Sequence, residues 1–437
     1  MFEIREKPEM VERAMLVSIY FDPSEAGEKQ AMLDELEDLV SNLGIGIAGK
    51  HLIKSRDMHA KFLCGTGKAQ EVKQLALDCR ADCVVFDNML SPSQQREWER
   101  LVDECVIDRE EVILDIFARR ARTREATLQV ELARMQYSLP RMARMWNHLD
   151  RQGGGSGGGK GGGGAARGEG EKQIEVDRRL ARARIEAIQR ELVLVTRQRA
   201  TQRKERERQA VATAAIVGYT NAGKSSLLSL VSGSEVMARD MLFATLDTTT
   251  RKIELPHGQP LLLTDTVGFI RNLPHRLVEA FKSTLEEAVL ADFLIQVVDA
   301  SDPEAVRHYE TTLEVLNELG AGDKPMIVVL NKVDLVPEER RGALETLLAP
   351  HFSGRGVPMS VKEGNGEGDL LNACVEMLES RVRRARFLIP YTRSDLVAAM
   401  HSEGKVFSTE YVEEGTLLEA VLPVAFYNKL ESFLADR

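Results

Sequence analysis

The chain has 437 residues, a formal net charge of −10 and 43% hydrophobic residues. This length exceeds what one hydrophobic core usually supports and predicts about three domains. No stretch is long and apolar enough to span a bilayer, and the N-terminal residues are charged, which argues against a membrane span and a secretory signal peptide. The five cysteines form no CxxC pair, which argues against a disulfide framework or a zinc site. We therefore expect a multidomain cytoplasmic protein.

Residues 1–115 alternate strand-like and helix-like patterns. Met15–Tyr20 and Cys83–Phe86 are short apolar runs, whereas Lys29–Leu43 and Gln94–Cys105 are amphipathic. This alternation predicts a small N-terminal α/β domain with a parallel sheet.

Residues 116–209 carry apolar positions at alternating steps of four and three residues. They form two series, Leu128, Leu132, Met135, Leu139, Met142, Trp146 and Leu149, then Ala181, Ile185, Ile188, Leu192 and Val195. Two such series predict a long antiparallel helical hairpin. Pro140 should interrupt the first arm. Residues 153–170 contain 12 glycines, so they should form a tip without a core.

The hairpin is basic although the whole chain is acidic. Residues 116–208 contain 22 Lys and Arg against 11 Asp and Glu. Two interpretations stay open: a structural spacer, or an RNA-gripping element that uses arginine for phosphate and glycine for close backbone approach. The second is favoured because the basic excess is confined to this element. The candidate RNA-binding residues are Arg141, Arg144, Lys160, Arg167, Arg178 and Arg179.

Residues 210–380 predict a P-loop domain. The apolar run Thr213–Val217 leads into a GxxxxGKS phosphate loop and a helix-compatible stretch. Backbone N–H groups there cradle phosphates, Lys224 reaches the β and γ oxygens, and Ser225 supplies a hydroxyl to Mg²⁺. The nucleotide-binding candidates in this loop are Gly218, Tyr219, Thr220, Asn221, Ala222, Gly223, Lys224, Ser225 and Ser226.

Two later motifs, each after a predicted strand, define the nucleotide further. Asp265 is placed to act near the metal, and Gly268 to sense the third phosphate. Asp334 can accept two hydrogen bonds from guanine but not from adenine, which predicts GTP rather than ATP. The candidates are Asp265, Thr266, Val267 and Gly268, then Asn331, Lys332, Val333 and Asp334, with a base-side turn at Ser360, Val361 and Lys362.

A second hydroxyl ligand for Mg²⁺ should lie between these motifs. Thr245 is the candidate, although Thr248, Thr249 and Thr250 are close competitors. Its motif adds Phe243, Ala244, Thr245, Leu246 and Asp247 to the nucleotide-binding set, and the metal set is Ser225, Thr245 and, indirectly, Asp265. Asn221 is placed to help hold K⁺ against the phosphates.

Phe269 follows Gly268 where many GTPases have a glutamine that orients the attacking water. The expected catalytic and switch residues are therefore Lys224, Gly268 and Phe269, without a catalytic glutamine. Slow intrinsic hydrolysis that a partner stimulates is the expectation.

Residues 384–437 predict a small C-terminal α+β domain. Their pattern is strand, helix, hairpin around Glu413–Thr416 and helix. No motif with catalytic chemistry is present in this segment.

The motifs together resemble the HflX family of GTPases, relatives of the Obg group. The resemblance rests on Gly218–Ser225, Phe243–Asp247, Asp265–Arg271 with Leu273–His275, and Arg167–Glu171 before Asp177–Arg179. It implies a GTPase that binds the large (50S) ribosomal subunit, with the hairpin tip directed toward the peptidyl transferase centre of 23S rRNA. It also implies the splitting of stalled or hibernating ribosomes under stress. Departures from the family pattern are Ser226, Thr248, Glu169 and Val361.

Two alternatives remain at this point. A GTPase that assists large-subunit assembly would share every pocket residue. A regulatory GTP switch whose hairpin binds a protein partner would need the apolar seam but not the arginines.

Overall fold

The computed structural model describes residues 11–144, 165–208, 211–233, 242–243, 245–256, 258–274, 277, 282–348, 356–378 and 382–435. The chain forms two compact units. The first comprises Met1–Val195 with Met241–Phe243 and Arg271–Phe281, and the second comprises Thr196–Asp240, Ala244–Ile270 and Lys282–Arg437. Within the described ranges, no helix is long and apolar enough to cross a membrane.

A parallel sheet forms the centre of the first unit. Its elements are β1 (Arg13–Tyr20), α1 (Ala26–Asn42), β2 (Gly46–Lys54), α2 (Thr66–Cys79), β3 (Cys83–Phe86), α3 (Pro92–Val102), β4 (Cys105–Asp108) and α4 (Arg109–Arg120). The described strands pair in the order β2-β1-β3-β4, all parallel. The sheet and the flanking helices confirm the α/β prediction for this part of the chain.

Helix α3 shows how the local sequence sets an element of this unit. The Ser91 hydroxyl accepts a hydrogen bond from the Gln94 backbone N–H while the Gln94 side chain bonds back, which forms a capping box, and Pro92 occupies the first turn. The helix buries Trp98 against Phe62 and Phe86, whose ring centroids lie 5.1 and 4.8 Å away. This aromatic cluster anchors the core under the sheet.

The helical hairpin follows in the first unit, and residues 196–208 at the end of its second helix belong to the second unit. It consists of α5 (Arg124–Ser138), a 3₁₀ segment (Leu139–Arg144) and α6 (Ala165–Arg208). Two ion pairs of 2.8 Å join the helices, Arg124 with Glu191 and Glu131 with Arg184. The later residue of α5 pairs with the earlier residue of α6, so the two helices are antiparallel. Leu128, Leu132 and Ile188 form the apolar seam between them.

Two details of the hairpin bear on its predicted limits. Helix α5 ends two residues before Pro140, as the interruption at that residue predicted. The tip was predicted to extend to residue 170, but α6 already begins at Ala165. Alanine and arginine at this point are strong helix formers, and they outweigh the two glycines that follow. Residues 153–164 of the predicted tip lie outside the described residues.

A mixed sheet forms the centre of the second unit. Its elements are β5 (Ala212–Gly218), α7 (Lys224–Ser232), β6 (Thr249–Glu254), β7 (Pro260–Asp265), α8 (Lys282–Leu290), β8 (Phe293–Asp299), α9 (Ala305–Glu318), β9 (Met326–Asn331), α10 (Glu338–Leu348), β10 (Val357–Pro358) and α11 (Glu367–Leu378). The described strands are ordered β10-β9-β8-β5-β7-β6, and β6 alone among them pairs antiparallel. Apolar residues are buried on both faces of the sheet. Strand β5 ends at Gly218, β7 at Asp265 and β9 at Asn331, so the carboxyl ends of these strands carry the three predicted motifs.

The last part of the chain has its own small core. It contains β11 (Val382–Ile389), α12 (Ser394–Glu403), β12 (Lys405–Val412), β13 (Gly415–Pro423) and α13 (Val424–Leu430). The strands form an antiparallel sheet in the order β11-β13-β12. Phe387, Leu418 and Met400 are fully buried within it. The order of elements is the predicted α+β one.

Candidate nucleotide-binding site

The phosphate loop connects β5 to α7, and its two glycines are required by the surrounding atoms. Gly218 has φ +146°, and a Cβ there would lie 2.3 Å from the Val297 carbonyl oxygen. Gly223 has φ +98°, and a Cβ there would lie 2.3 Å from the Asn331 side-chain nitrogen. Any other residue at these positions would displace the loop. Helix α7 then begins at Lys224, so its N-terminal N–H groups point toward the loop.

Lys224 is buried at the base of this loop. Its side chain is 5% exposed, and its Nζ donates to the Tyr219 carbonyl oxygen at 2.6 Å. Burial lowers the pKa of Lys224 to about 8, and the nearby Asp265 carboxylate opposes that shift. Bound phosphates would favour the charged ammonium group in the same way, because they place anionic oxygens beside it.

Three oxygen atoms converge at the start of α7. Ser225 Oγ lies 2.5 Å from Thr245 Oγ1, and both hydroxyls donate to Asp265 Oδ2 at 2.6 and 2.7 Å. Asp265 is 1% exposed, and its Oδ1 has no hydrogen-bond partner within the described ranges. Burial raises the pKa of this carboxyl. Two hydroxyls and a buried carboxylate with an unused oxygen fit a hard cation such as Mg²⁺.

Thr245 is distinguished from its neighbours by this geometry. Thr250 lies in β6 and bonds Thr264 at 2.9 Å instead. Thr249 begins the same strand. The structure therefore brings Thr245, the predicted choice, to Ser225 and Asp265.

Asn331 connects the phosphate loop to the base-side loops. Its Nδ2 donates to the Ala222 carbonyl at 2.8 Å, and its Oδ1 accepts from the Val361 N–H at 3.1 Å. Ser360, next to Val361, is buried, and its hydroxyl accepts from the Glu363 N–H at 3.3 Å. Lys362 is exposed beside them. One amide side chain thus holds the three loops in register.

Lys332 and Asp334 follow Asn331 at the end of β9. Lys332 adopts φ +61°, and its Nζ lies 2.6 Å from Asp299 Oδ2 at the end of β8. Asp334 is half-buried in the short 3₁₀ turn Val333–Leu335. Asp299 was not among the predicted residues, although its position at the carboxyl end of a strand in the same sheet could have indicated it.

Phe269, which follows Gly268, is hydrogen-bonded to the phosphate loop through its backbone. The Phe269 N–H donates to the Gly218 carbonyl at 3.1 Å, and the Thr220 N–H donates to the Phe269 carbonyl at 2.8 Å. The Phe269 ring is 1% exposed and packs in the core with Val217. Phe269 was expected among the catalytic residues, but its side chain is a core residue and only its backbone reaches the loop. An aromatic ring is more stable in this apolar layer than in a polar pocket.

Several residues predicted to bind the nucleotide make contacts within the protein core. Phe243 belongs to the first unit, where its ring lies edge-on to Phe117 at 4.7 Å, so it packs in a core and is not brought to the pocket. Leu246 and Val267 are buried, and the Thr266 hydroxyl donates to the Ile216 carbonyl at 2.7 Å.

The remaining pocket candidates differ in exposure. Tyr219 stacks on His308 of α9 with ring centroids 3.8 Å apart, a contact that no motif indicated. Asn221 is exposed with φ +60°, and Ser226 and Asp247 are half-buried. Ala244 lies outside the described residues.

The RNA-binding candidates separate into distinct groups. Arg141 was expected to contact RNA, but it is 9% exposed, and its guanidinium bonds Gln95 Oε1 at 2.8 Å and the Leu90 carbonyl at 2.7 Å while stacking over Tyr137. The hydrogen-bond donors of its guanidinium group are used inside the first unit, so Arg141 has a structural role. Arg179 is exposed and Arg178 half-buried. Lys160 and the side chains of Arg144 and Arg167 lie outside the described residues.

A phosphate loop after β5, an aspartate with two hydroxyl partners after β7 and an Asn-Lys-x-Asp loop after β9 together define a P-loop GTPase. Family models agree: residues 30–118 match "GTP-binding GTPase N-terminal", residues 120–206 match "GTP-binding GTPase Middle Region" and residues 213–332 match "50S ribosome-binding GTPase".

Similar full-length proteins extend this agreement. The GTPase HflX of Lacrimispora saccharolytica is 41% identical over 98% of this chain and 98% of its own length. That of Chlamydia pneumoniae is 39% identical over 99% of this chain and 90% of its own length. The chain therefore belongs to the HflX family of GTPases and is a GTP hydrolase that forms GDP and phosphate. The crystal structure of a GTP-binding protein from Sulfolobus solfataricus in complex with GDP is 23% identical, covers 84% of this chain and 99% of that chain, and has a TM-score of 0.43.

Proposed function

We propose that this GTPase acts in the cytoplasm, binds the large (50S) ribosomal subunit through 23S rRNA near the peptidyl transferase centre, and splits stalled or hibernating ribosomes. The match of residues 213–332 to the family described as 50S ribosome-binding GTPase supports a ribosomal partner. The basic hairpin supports RNA as the part of the ribosome that is contacted.

The observation that carries the proposal is the division of arginines along the hairpin. Arg124 and Arg184 pair with glutamates of the opposite arm. Arg178, Arg179 and Arg182 of α6 have no ion pair within the described residues, and Arg179 and Arg182 are exposed. Guanidinium groups that face water without a carboxylate partner are available for phosphate.

In the pocket, we propose that Ser225 and Thr245 hold Mg²⁺ directly and Asp265 holds it through water. The ion would neutralise charge on the β- and γ-phosphates. Lys224 contributes a second positive charge to the same oxygens, and Asp334 selects guanine. Asn221 is the proposed contact for K⁺, which a comparison of hydrolysis in KCl and NaCl would test.

The test is co-sedimentation with purified large subunits in the presence of a non-hydrolysable GTP analogue. Replacing Arg178, Arg179 and Arg182 together by Gln should weaken binding and flatten its salt dependence, because fewer phosphates are contacted. The matched control replaces Arg124 and Arg184 by Gln. Those side chains are already paired within the hairpin, so binding should persist.

The outcomes distinguish the alternatives. Equal binding by both variants would contradict RNA contact and favour a protein partner for the hairpin. Preferential binding to immature particles, without splitting of intact ribosomes, would favour a role in large-subunit assembly. Nucleotide-independent binding that is also insensitive to salt would contradict the proposal as a whole.

A further inference from the structure

Thr220 in the phosphate loop has a buried hydroxyl group that the fold does not use. The residue is 7% exposed, and its Oγ1 has no hydrogen-bond partner among the residues that the structure describes. Its backbone N–H is held by the Phe269 carbonyl at 2.8 Å, so the position of the residue is fixed from the main chain. Buried hydroxyls are normally paired, and an unpaired one inside a ligand site indicates a partner that arrives with the ligand.

The neighbours of Thr220 show which part of the ligand would lie beside it. A Cβ built on Gly268 would lie 2.9 Å from Thr220 Cγ2 and 3.0 Å from Lys224 Nζ. The side chains of Thr220 and Lys224 therefore border the same small volume at Gly268. The phosphate-loop lysine reaches the β and γ oxygens, so this volume lies on the γ-phosphate side of the site. The metal cluster of Ser225 and Thr245 is a separate group of oxygens.

The position after Gly268 offers no side chain to this volume. Phe269 is apolar and its ring lies in the core. The methyl group of Thr220 borders Gly268. Its hydroxyl, on the same Cβ, has no hydrogen-bond partner in the described chain and is therefore a neutral donor next to this volume.

We propose that Thr220 is a catalytic residue of GTP hydrolysis. Its hydroxyl donates a hydrogen bond to a γ-phosphoryl oxygen while the oxygen of water bonds to the γ-phosphorus and the bond to the β–γ bridging oxygen breaks. The bridging oxygen leaves with GDP, the protons of water end on the products, and Thr220 keeps its own proton. A donor fixed in place before the reaction stabilises the charge on the transferring group without reorganisation.

The test compares Thr220→Val with Thr220→Ser in the full chain. Valine keeps the shape and the contact at Gly268 but removes the hydroxyl, whereas serine keeps the hydroxyl. Single-turnover hydrolysis of GTP by Thr220→Val should fall on the order of 10²-fold, the usual loss for one such donor. Thr220→Ser should stay within a few-fold of wild type, and the GDP affinity of both variants should remain near wild type.

A second readout separates catalysis from structure. Aluminium fluoride with GDP mimics the transferring phosphoryl group, so it should tighten fluorescent GDP binding in wild type and in Thr220→Ser but not in Thr220→Val. Unchanged hydrolysis by Thr220→Val would overturn the proposal. So would an equal loss of hydrolysis in both variants, or a loss of GDP affinity in Thr220→Val as large as its loss of rate.

Discussion

At the scale of single residues, Lys224 is a pocket residue whose ionisation depends on folding. Burial lowers the pKa of its ammonium group from 10.5 to about 8. Between these two values the unfolded chain binds a proton that the folded protein has largely released. Stability must then increase with pH across this window, because the unfolded state binds more protons.

We expect this effect in the nucleotide-free protein when it is compared with Lys224→Met. The free energy of unfolding of wild type relative to the variant should rise between pH 8 and pH 10.5, by at most about 1.4 kcal/mol per pH unit. Urea denaturation at pH 7, 8 and 10 measures it. Lys362→Met, which removes an exposed lysine, controls for the loss of a charge that stays in water. A difference that does not change between pH 8 and pH 10 would contradict the burial of the charge.

The sequence indicated the pocket residues well where the chemistry requires a particular side-chain atom, such as an oxygen near the metal. Ser225 and Thr245 were predicted as metal ligands and Asp265 as an indirect one, and one side-chain oxygen of each lies within 2.7 Å of the other two. Phe269 was predicted as a switch residue because it lies where many GTPases have a glutamine. The motif alone does not reveal that its ring enters the core, because burial depends on the helices that cover the sheet.

At the scale of elements, Arg141 shows how a short segment is fixed to a sheet. The 3₁₀ turn after α5 places its guanidinium against the Asp108 carboxylate at 3.6 Å, near the carboxyl end of β4. Gln95 and the Leu90 carbonyl accept its other hydrogen bonds. Removing the cation would take the counter-charge from the buried Asp108 carboxylate and leave the Gln95 and Leu90 oxygens without their donor.

Arg141→Met should therefore destabilise the first unit by about 3 kcal/mol, the usual loss when one partner of a buried ion pair is removed. Arg179→Met is the matched control, since it removes an exposed arginine from the same hairpin and should change stability by less than about 0.5 kcal/mol. Chemical denaturation followed by tryptophan fluorescence measures both. Equal stability of the two variants would contradict the anchoring role of Arg141.

Elements with a periodic apolar pattern were predicted, and elements without one were not. The seam of the hairpin was visible because Leu128 and Leu132 in one arm, and Ile185, Ile188 and Leu192 in the other, recur at helical spacing. Strand β2 was missed because it lies at the edge of its sheet, contains two glycines and has partly exposed residues on both faces. An edge strand of this kind has no alternation that a sequence can show.

At the scale of the whole molecule, the chain returns to the first unit just before Thr245 and again a few residues after Asp265. Met241–Phe243 precede Thr245, and Arg271–Phe281 follow Asp265. Phe243 packs edge-on against Phe117 of α4, and the Asn272 amide lies 3.8 Å from the Met32 sulfur of α1. The segments that adjoin the predicted switch residues in the chain are therefore packed within the first unit.

This connection predicts an effect of Phe117→Ala on nucleotide preference. Loss of an aromatic pair is worth about 0.5–1.5 kcal/mol, and the freed segment two residues before Thr245 must then be ordered when GTP binds. GTP affinity should fall by up to about tenfold, whereas GDP affinity, which needs no γ-phosphate contact, should stay near wild type. Titration with fluorescent GDP and a GTP analogue measures the ratio.

Phe62→Ala is the matched control for that ratio. It also removes a buried ring from an edge-on aromatic pair, with Trp98 at 5.1 Å, but its partner lies in α3 and not in a switch segment. If both variants changed the ratio equally, general loosening of the first unit would explain the effect. If Phe117→Ala alone shifts it, the packing of Phe243 sets how readily Thr245 reaches Ser225 and Asp265, and the N-terminal fold takes part in distinguishing GTP from GDP.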